Sequence, residues 1–223
     1  MKTILILLLL ASAAFSQTPE LSTVRIYNHR DADNDYDGWG SGFVVSDNQV
    51  ITAYHVVHRH REGDKQVQIR FSDNSRSWAT VEAVSLQHDL ALLWINKHET
   101  IASLPLGEIP EEGTTITVQG FGRDYEFKSK SGTMVNRMVS IASREFEDYD
   151  SLVGVVDAAP EDGPRQAVFA KARPGDSGGP VTHEGKVIGV VLSVAENITI
   201  FARIDTVLAD FKGKIRHSVL RIK

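Results

Sequence analysis

The sequence predicts an all-β fold, either a sandwich or a pair of barrels, closed by a helix near the C-terminus. Three observations carry this prediction. Short runs rich in Val, Ile, Thr and aromatic residues recur along the chain. Gly, Asn, Asp and Pro punctuate them at short intervals, as turns between strands require. Only one stretch, Ile204 to about Val219, has helical character, with Val207, Leu208 and Phe211 on one face and Asp205 placed to cap the first turn.

The expected strands follow in order: GFVVS, QVITAY, VQIRFS, TVEAVSL, LALLWI, TITVQGFG, SLVGVVDA, QAVFAKA and KVIGVVLSV. His183-Glu184-Gly185-Lys186 reads as a hairpin turn. No repeat, low-complexity linker or composition break marks a second domain within residues 17–223. A PDZ-like module after the region that carries the chemistry is not expected.

Residues 1–16 stand apart. Lys2 supplies a positive start, Ile4 to Ala14 is apolar on all sides, and Ala14-Phe15-Ser16 fits the small-x-small cleavage rule. The run is short for a bilayer span. It is read as an export signal cleaved between Ser16 and Gln17, which makes the mature protein secreted or periplasmic. A second long apolar run is absent from the sequence, so no membrane anchor is expected.

The chain has 223 residues, 42% hydrophobic and 24% charged, with a formal net charge of -5. That balance suits one large domain or two lobes and does not suggest a nucleic-acid partner. The basic residues Lys212, Lys214, Arg216, Arg221 and Lys223 sit in a tail without acids, so the body is the more acidic for it. This tail reads as a solvated helix face. There is no cysteine, which excludes disulfides, a cysteine-type zinc site and a thiol nucleophile.

Arg173 to Pro180, RPGDSGGP, is the most informative stretch. Glycines on both sides of Ser177 let backbone amides turn toward one point without a Cβ in the way. The amides of Gly175 and Ser177 are candidates for an oxyanion hole. A serine hydroxyl needs a base, and His55 follows the strand-like VITAY. A base needs an orienting acid. Asp89, at the edge of the apolar run Leu90 to Ile95, carries a desolvation cost that bonds to an imidazole and to amides would offset.

The segments TAYHVV, HDLALL and GDSGGP, in that order, resemble the trypsin/chymotrypsin-like serine proteases. The resemblance covers most of residues 21–211, and Gly40-Ser41-Gly42-Phe43 resembles the family's early barrel strand. It implies two six-stranded antiparallel β-barrels with the active site between them. It implies Ser177 as nucleophile, His55 as general base and acid, Asp89 as orienter, a protein or peptide substrate and no cofactor. No activating Ile-Val-Gly-Gly-type segment precedes the histidine motif, so Asp176 needs another partner. That absence, and Phe201-Ala202-Arg203-Ile204, bring the chain nearer to bacterial exported and HtrA-type members. The resemblance also places Lys171 and Ala172 at the base of the specificity pocket. An inward Lys171 would reject basic side chains and attract acidic ones; an outward one would leave an apolar pocket lined by Ala172 and the strand around Val190 to Val194. The substrate-pairing strand would run through Leu192, Ser193 and Val194. The family's supporting serine falls on Leu192, or on Ser193 if the register slips by one.

Metal-dependent alternatives lack ligands. His55, His58 and His60 lie beside Arg59 and Arg61, which repel a cation, and only Glu62 and Asp64 are near enough in sequence to complete a zinc site. His58, His60 and His88 are therefore read as solvated or structural. Asp31 to Gly38 resembles the start of a calcium loop, but with Asp33 first the twelfth position is Val44. A remaining alternative is a trypsin-fold protein that binds without cutting.

Overall fold

The computed structural model describes residues 19–27, 38–58, 63, 67–96, 101–122, 126–138, 165–169, 174–195 and 198–216. Two closed barrels of six antiparallel strands account for most of them. The first contains β1 (Thr23–Tyr27), β2 (Trp39–Ser46), β3 (Gln49–Ala53), β4 (Val67–Arg70), β5 (Arg76–Ser85) and β6 (Leu90–Ile95), in the order β1-β2-β3-β6-β5-β4. The second contains β7 (Thr115–Phe121), β8 (Phe127–Met138), β9 (Arg165–Phe169), β10 (Pro180–His183), β11 (Lys186–Ala195) and β12 (Ile198–Arg203). Its ring repeats the same permutation, β7-β8-β9-β12-β11-β10. Closure leaves neither sheet with an open edge. The described residues also include three short helices: α1 (Pro19–Ser22), α2 (Tyr54–Val57) and α3 (Ile204–Asp210).

The strand-like runs fold as strands because each buries a face of branched or aromatic side chains. Val24, Ile26, Phe43, Ile51, Ile69, Leu90 and Leu92 fill the first barrel. The same cluster runs on through Val190, Leu192 and Ala202 of the second barrel to Val207 of α3 and Phe211 just after it. A smaller core of Ile116, Val118, Met134, Val181, Ile188, Val191 and Phe201 fills the second barrel. The seam therefore has continuous apolar packing. Arg25 crosses it as well, with its guanidinium 5.0 Å from the centroid of the Phe121 ring. The hairpin at Glu184-Gly185 takes positive φ at both central residues (49° and 75°), as the tight two-residue turn requires.

Four strands carry no strong signal in sequence. β1, β10 and β12 are short, and β8 is polar, with Met134 its one buried side chain among those described. β8 forms because β7 pairs with it over seven consecutive positions. The C-terminal helix is shorter than expected. α3 ends at Asp210, turns follow, and Gly213 has φ +76°, a conformation no helix continues through. Asp205 is not its cap: the N-cap is Arg203, whose guanidinium pairs with Asp205 at 2.6 Å. Leu208 faces outward rather than joining Val207 and Phe211. The 151–158 run, the acidic loop residues 31–37, residues 1–18 and the end of the tail lie outside the described residues.

Candidate active site

β3 pairs with β6 so that Ala53 stands opposite Leu90. The next residue along one strand and the preceding residue of the other are then neighbours, which brings the His55 and Asp89 motifs together from 34 positions apart. Asp89 sits at φ +54°, a left-handed conformation that Asp tolerates better than most residues. Its carbonyl accepts the Tyr54 amide at 2.9 Å. One carboxylate oxygen accepts the His55 amide at 2.8 Å, and the other lies 2.6 Å from His55 Nδ1. Both side chains are largely buried. A proton on Nδ1 directed at this carboxylate leaves the lone pair on Nε2.

Ser177 lies in the turn between β9 and β10. Its backbone carbonyl accepts the Ser41 amide of β2 at 2.7 Å, so the turn is tied to the first barrel. Its Oγ points toward the Leu192 carbonyl at 3.5 Å. Leu192 is the bulged residue of β11: Val191 pairs with Phe201 and Ser193 with Ile200, leaving Leu192 without an opposite number on β12. Leu192 and Ser193, the two positions open for the family's supporting serine, thus differ in that the Leu192 carbonyl is the one that Ser177 faces. Its side chain is buried, while Ser193 is half-buried.

Glycines permit this approach. Gly178 has φ +82°, and a Cβ there would overlap the Ser41 carbonyl and the Thr52 hydroxyl, immediately before the helix that carries His55. Gly178→Ala is therefore expected to destabilise the fold by about 2 kcal/mol or more and to displace Ser177. Thermal unfolding and active-site titration of the purified variant check both effects. Gly175 has φ +98°, and its Cβ would lie 2.5 Å from the Phe121 carbonyl oxygen and from Trp39 Nε1. The amides of Gly175 and Ser177 donate to no acceptor among the described residues.

Asp176 is fully buried between these two residues. The partner that the sequence left unassigned is Lys130 of β8, whose Nζ is 2.5 Å from Asp176 Oδ2. Sequence reasoning missed Lys130 because it lies in a polar strand with no motif. It also passed over Ser41 as part of a strand. His58 is not simply solvated: its Nδ1 is 2.6 Å from the His55 carbonyl oxygen, across one helical turn. His88 is tied to α3 by a 2.7 Å pair with Asp210. His60, Lys171 and Ala172 lie outside the described residues, as does the Val194 side chain, so the pocket base has no structural description.

A model of the trypsin-like peptidase domain matches residues 40–190. The chain is 32% identical over 155 residues to the putative protease Do-like 3, mitochondrial, of Arabidopsis thaliana, covering 68% of this chain and 25% of that protein. It is 31% identical over 153 residues to serine protease HTRA2, mitochondrial, of Bos taurus, covering 68% and 30%. The chain thus spans between a quarter and a third of the length of these curated relatives. Among solved structures, the active form of the Rv3671c protease of M. tuberculosis superposes with a TM-score of 0.69 at 22% identity, over 86% of this chain and 80% of that one. The family match runs from the Gly40 strand through all three motif-bearing segments, and the paired barrels are those of the superposed protease. On these grounds the chain belongs to the trypsin-like peptidase family.

Proposed function

We propose that the protein is an exported serine endopeptidase. Ser177 is the nucleophile, His55 the general base and acid, Asp89 the orienter, and Gly175 and Ser177 the oxyanion donors. The double hold of Asp89 on His55, through the amide and through Nδ1, is the observation that carries this reading. A binding module would have no use for a histidine fixed in tautomer and orientation by a desolvated carboxylate.

In this mechanism Ser177 Oγ attacks the scissile carbonyl carbon while its proton passes to His55 Nε2. Negative charge develops on the carbonyl oxygen and is met by the Gly175 and Ser177 amides. Collapse breaks the C–N bond, and His55 returns the proton to the leaving amine. Water then attacks the acyl ester, giving its proton to His55. The carboxylate product leaves and Ser177 recovers its hydrogen. No cofactor takes part. The substrate backbone would pair with β11 from Leu192 to Val194, with the pocket base at Lys171 and Ala172, where an inward Lys171 would select acidic side chains and an outward one would leave an apolar pocket.

A fluorophosphonate probe tests the assignment on protein produced with its leader. Covalent labelling that vanishes in Ser177→Ala is expected, on an exported species whose mass begins at Gln17. No labelling of folded wild-type protein would favour the non-cutting alternative, and a labelled species retaining residues 1–16 would remove the export signal from the proposal.

A further inference from the structure

We propose that Ser41 is a positioning residue that aims the Gly175 and Ser177 amides; the inference rests on the endopeptidase reading above. Ser41 belongs to the first barrel, yet it holds the nucleophile turn of the second barrel at both ends. Its amide donates to the Ser177 carbonyl at 2.7 Å. Its hydroxyl donates to the Gly175 carbonyl at 2.7 Å and accepts the Phe121 amide at 2.8 Å. Its own carbonyl accepts the Thr52 hydroxyl at 2.7 Å. The two residues held by their carbonyls are the two whose amides lack an acceptor among the described residues.

The chemistry calls for a small hydroxyl at this position. Ser41 is fully buried in a strand otherwise lined by Phe43, Val44 and Val45. A buried hydroxyl is costly unless it is bonded. This one must accept from one amide and donate to one carbonyl, which a hydroxyl does with a single atom and which Ala or Gly cannot do. Polar side chains longer than Ser or Thr are excluded by the packing: even a Cβ on Gly120 would lie 2.9 Å from Ser41 Oγ. Gly175, without a side chain and at φ +98°, brings few restraints of its own to the peptide planes around it. The Ser41 bond fixes the plane that follows Gly175. The bond to the Ser177 carbonyl fixes the plane beyond the nucleophile. With both planes fixed, the Ser177 amide between them keeps one direction, and the Gly175 amide, one peptide plane upstream, is held through the Gly175 carbonyl carbon. Ser41 itself touches no reacting atom.

The Ser41→Ala variant separates positioning from mere stability. Removing one oxyanion donor outright costs about 10²–10³ in turnover, so misaiming the pair is expected to cost about 10–100-fold in kcat, with KM changed by less than about threefold. The rates are expressed per site titrated with fluorophosphonate, so partial unfolding does not count. A second readout is the pH at which the hemiketal of a peptidyl trifluoromethyl ketone ionises, followed by ¹⁹F NMR. It is expected to rise by about one unit, equivalent to a tenfold loss of oxyanion stabilisation. Ser41→Thr keeps the hydroxyl and is expected to recover both values. Per-site kcat and hemiketal ionisation equal to wild type in folded Ser41→Ala would overturn the proposal. Should neither variant fold, Ser41 serves folding and the positioning role is equally overturned. Wild-type protein that fails to label or turn over would instead bring down the endopeptidase reading, and this inference with it.

Discussion

Replacing Ser177 with Ala is expected to lower peptide turnover by ~10⁴-fold or more, and His55→Ala to do the same, while the double variant should lose little beyond either single change. The non-additivity follows from one shared step. Without Ser177 there is no proton for His55 to take, and without His55 the hydroxyl stays a weak nucleophile. Residual rate would come from amides and binding surface that both variants retain. Steady-state kinetics on the two singles and the double give the test. Losses that multiply would mean that the two side chains act independently, and the shared mechanism would be wrong. Asp89→Asn is expected to fall less steeply in stability than in rate. The amide side chain keeps the shape but can present its NH₂ to Nδ1, which favours the wrong tautomer.

Lys130→Met gives the second large effect, and it acts on fold and turnover together. The Asp176 carboxylate is fully buried and lies 2.5 Å from the Lys130 ammonium. Removing the cation takes the charged partner from a buried carboxylate, which costs about 3 kcal/mol, and a protein of this size loses about 6–12 °C in Tm. Turnover is expected to fall by about tenfold or more, because Asp176 is the residue between the two proposed oxyanion donors and its side chain anchors their turn. Adding Asp176→Asn to Lys130→Met removes the stranded charge and should recover part of the stability. A double-mutant cycle in Tm and kcat measures this. If Lys130→Met matched wild type in both, the ion pair would be incidental and the turn would be held by its backbone bonds alone.

The sequence made the strongly apolar strands legible because their side chains have one environment available to them. LALLWI and QVITA have no solvated alternative, and both form central strands of the first barrel. The polar β8 was illegible for the converse reason: its Lys, Ser and Asn residues satisfy no pattern, and pairing with β7 and β9 makes it a strand. The helix over-reach at the C-terminus has a similar origin. Helical spacing continues past Asp210 in the sequence, but Gly213 adopts a left-handed conformation and the chain turns back. The register at Leu192 and Ser193 was open because a bulge displaces one residue, and bulges leave no mark on alternation.

By itself the sequence singled out the candidate residues for the chemistry. His55, Asp89 and Ser177 stand in motifs whose residue types have few other uses together, and GDSGGP states in its glycines that a backbone must come close to something. Only the tertiary structure decided what that something is. Gly178 makes room for Ser41 and Thr52, Gly175 for Phe121 and Trp39, and the buried Asp176 is met by Lys130 from a strand without a motif. Supporting contacts of this kind are made by ordinary serines and lysines, which are common everywhere on a chain. Their roles arise from strand register and barrel closure, and those are settled by the packing of the whole core rather than by any local run of residues.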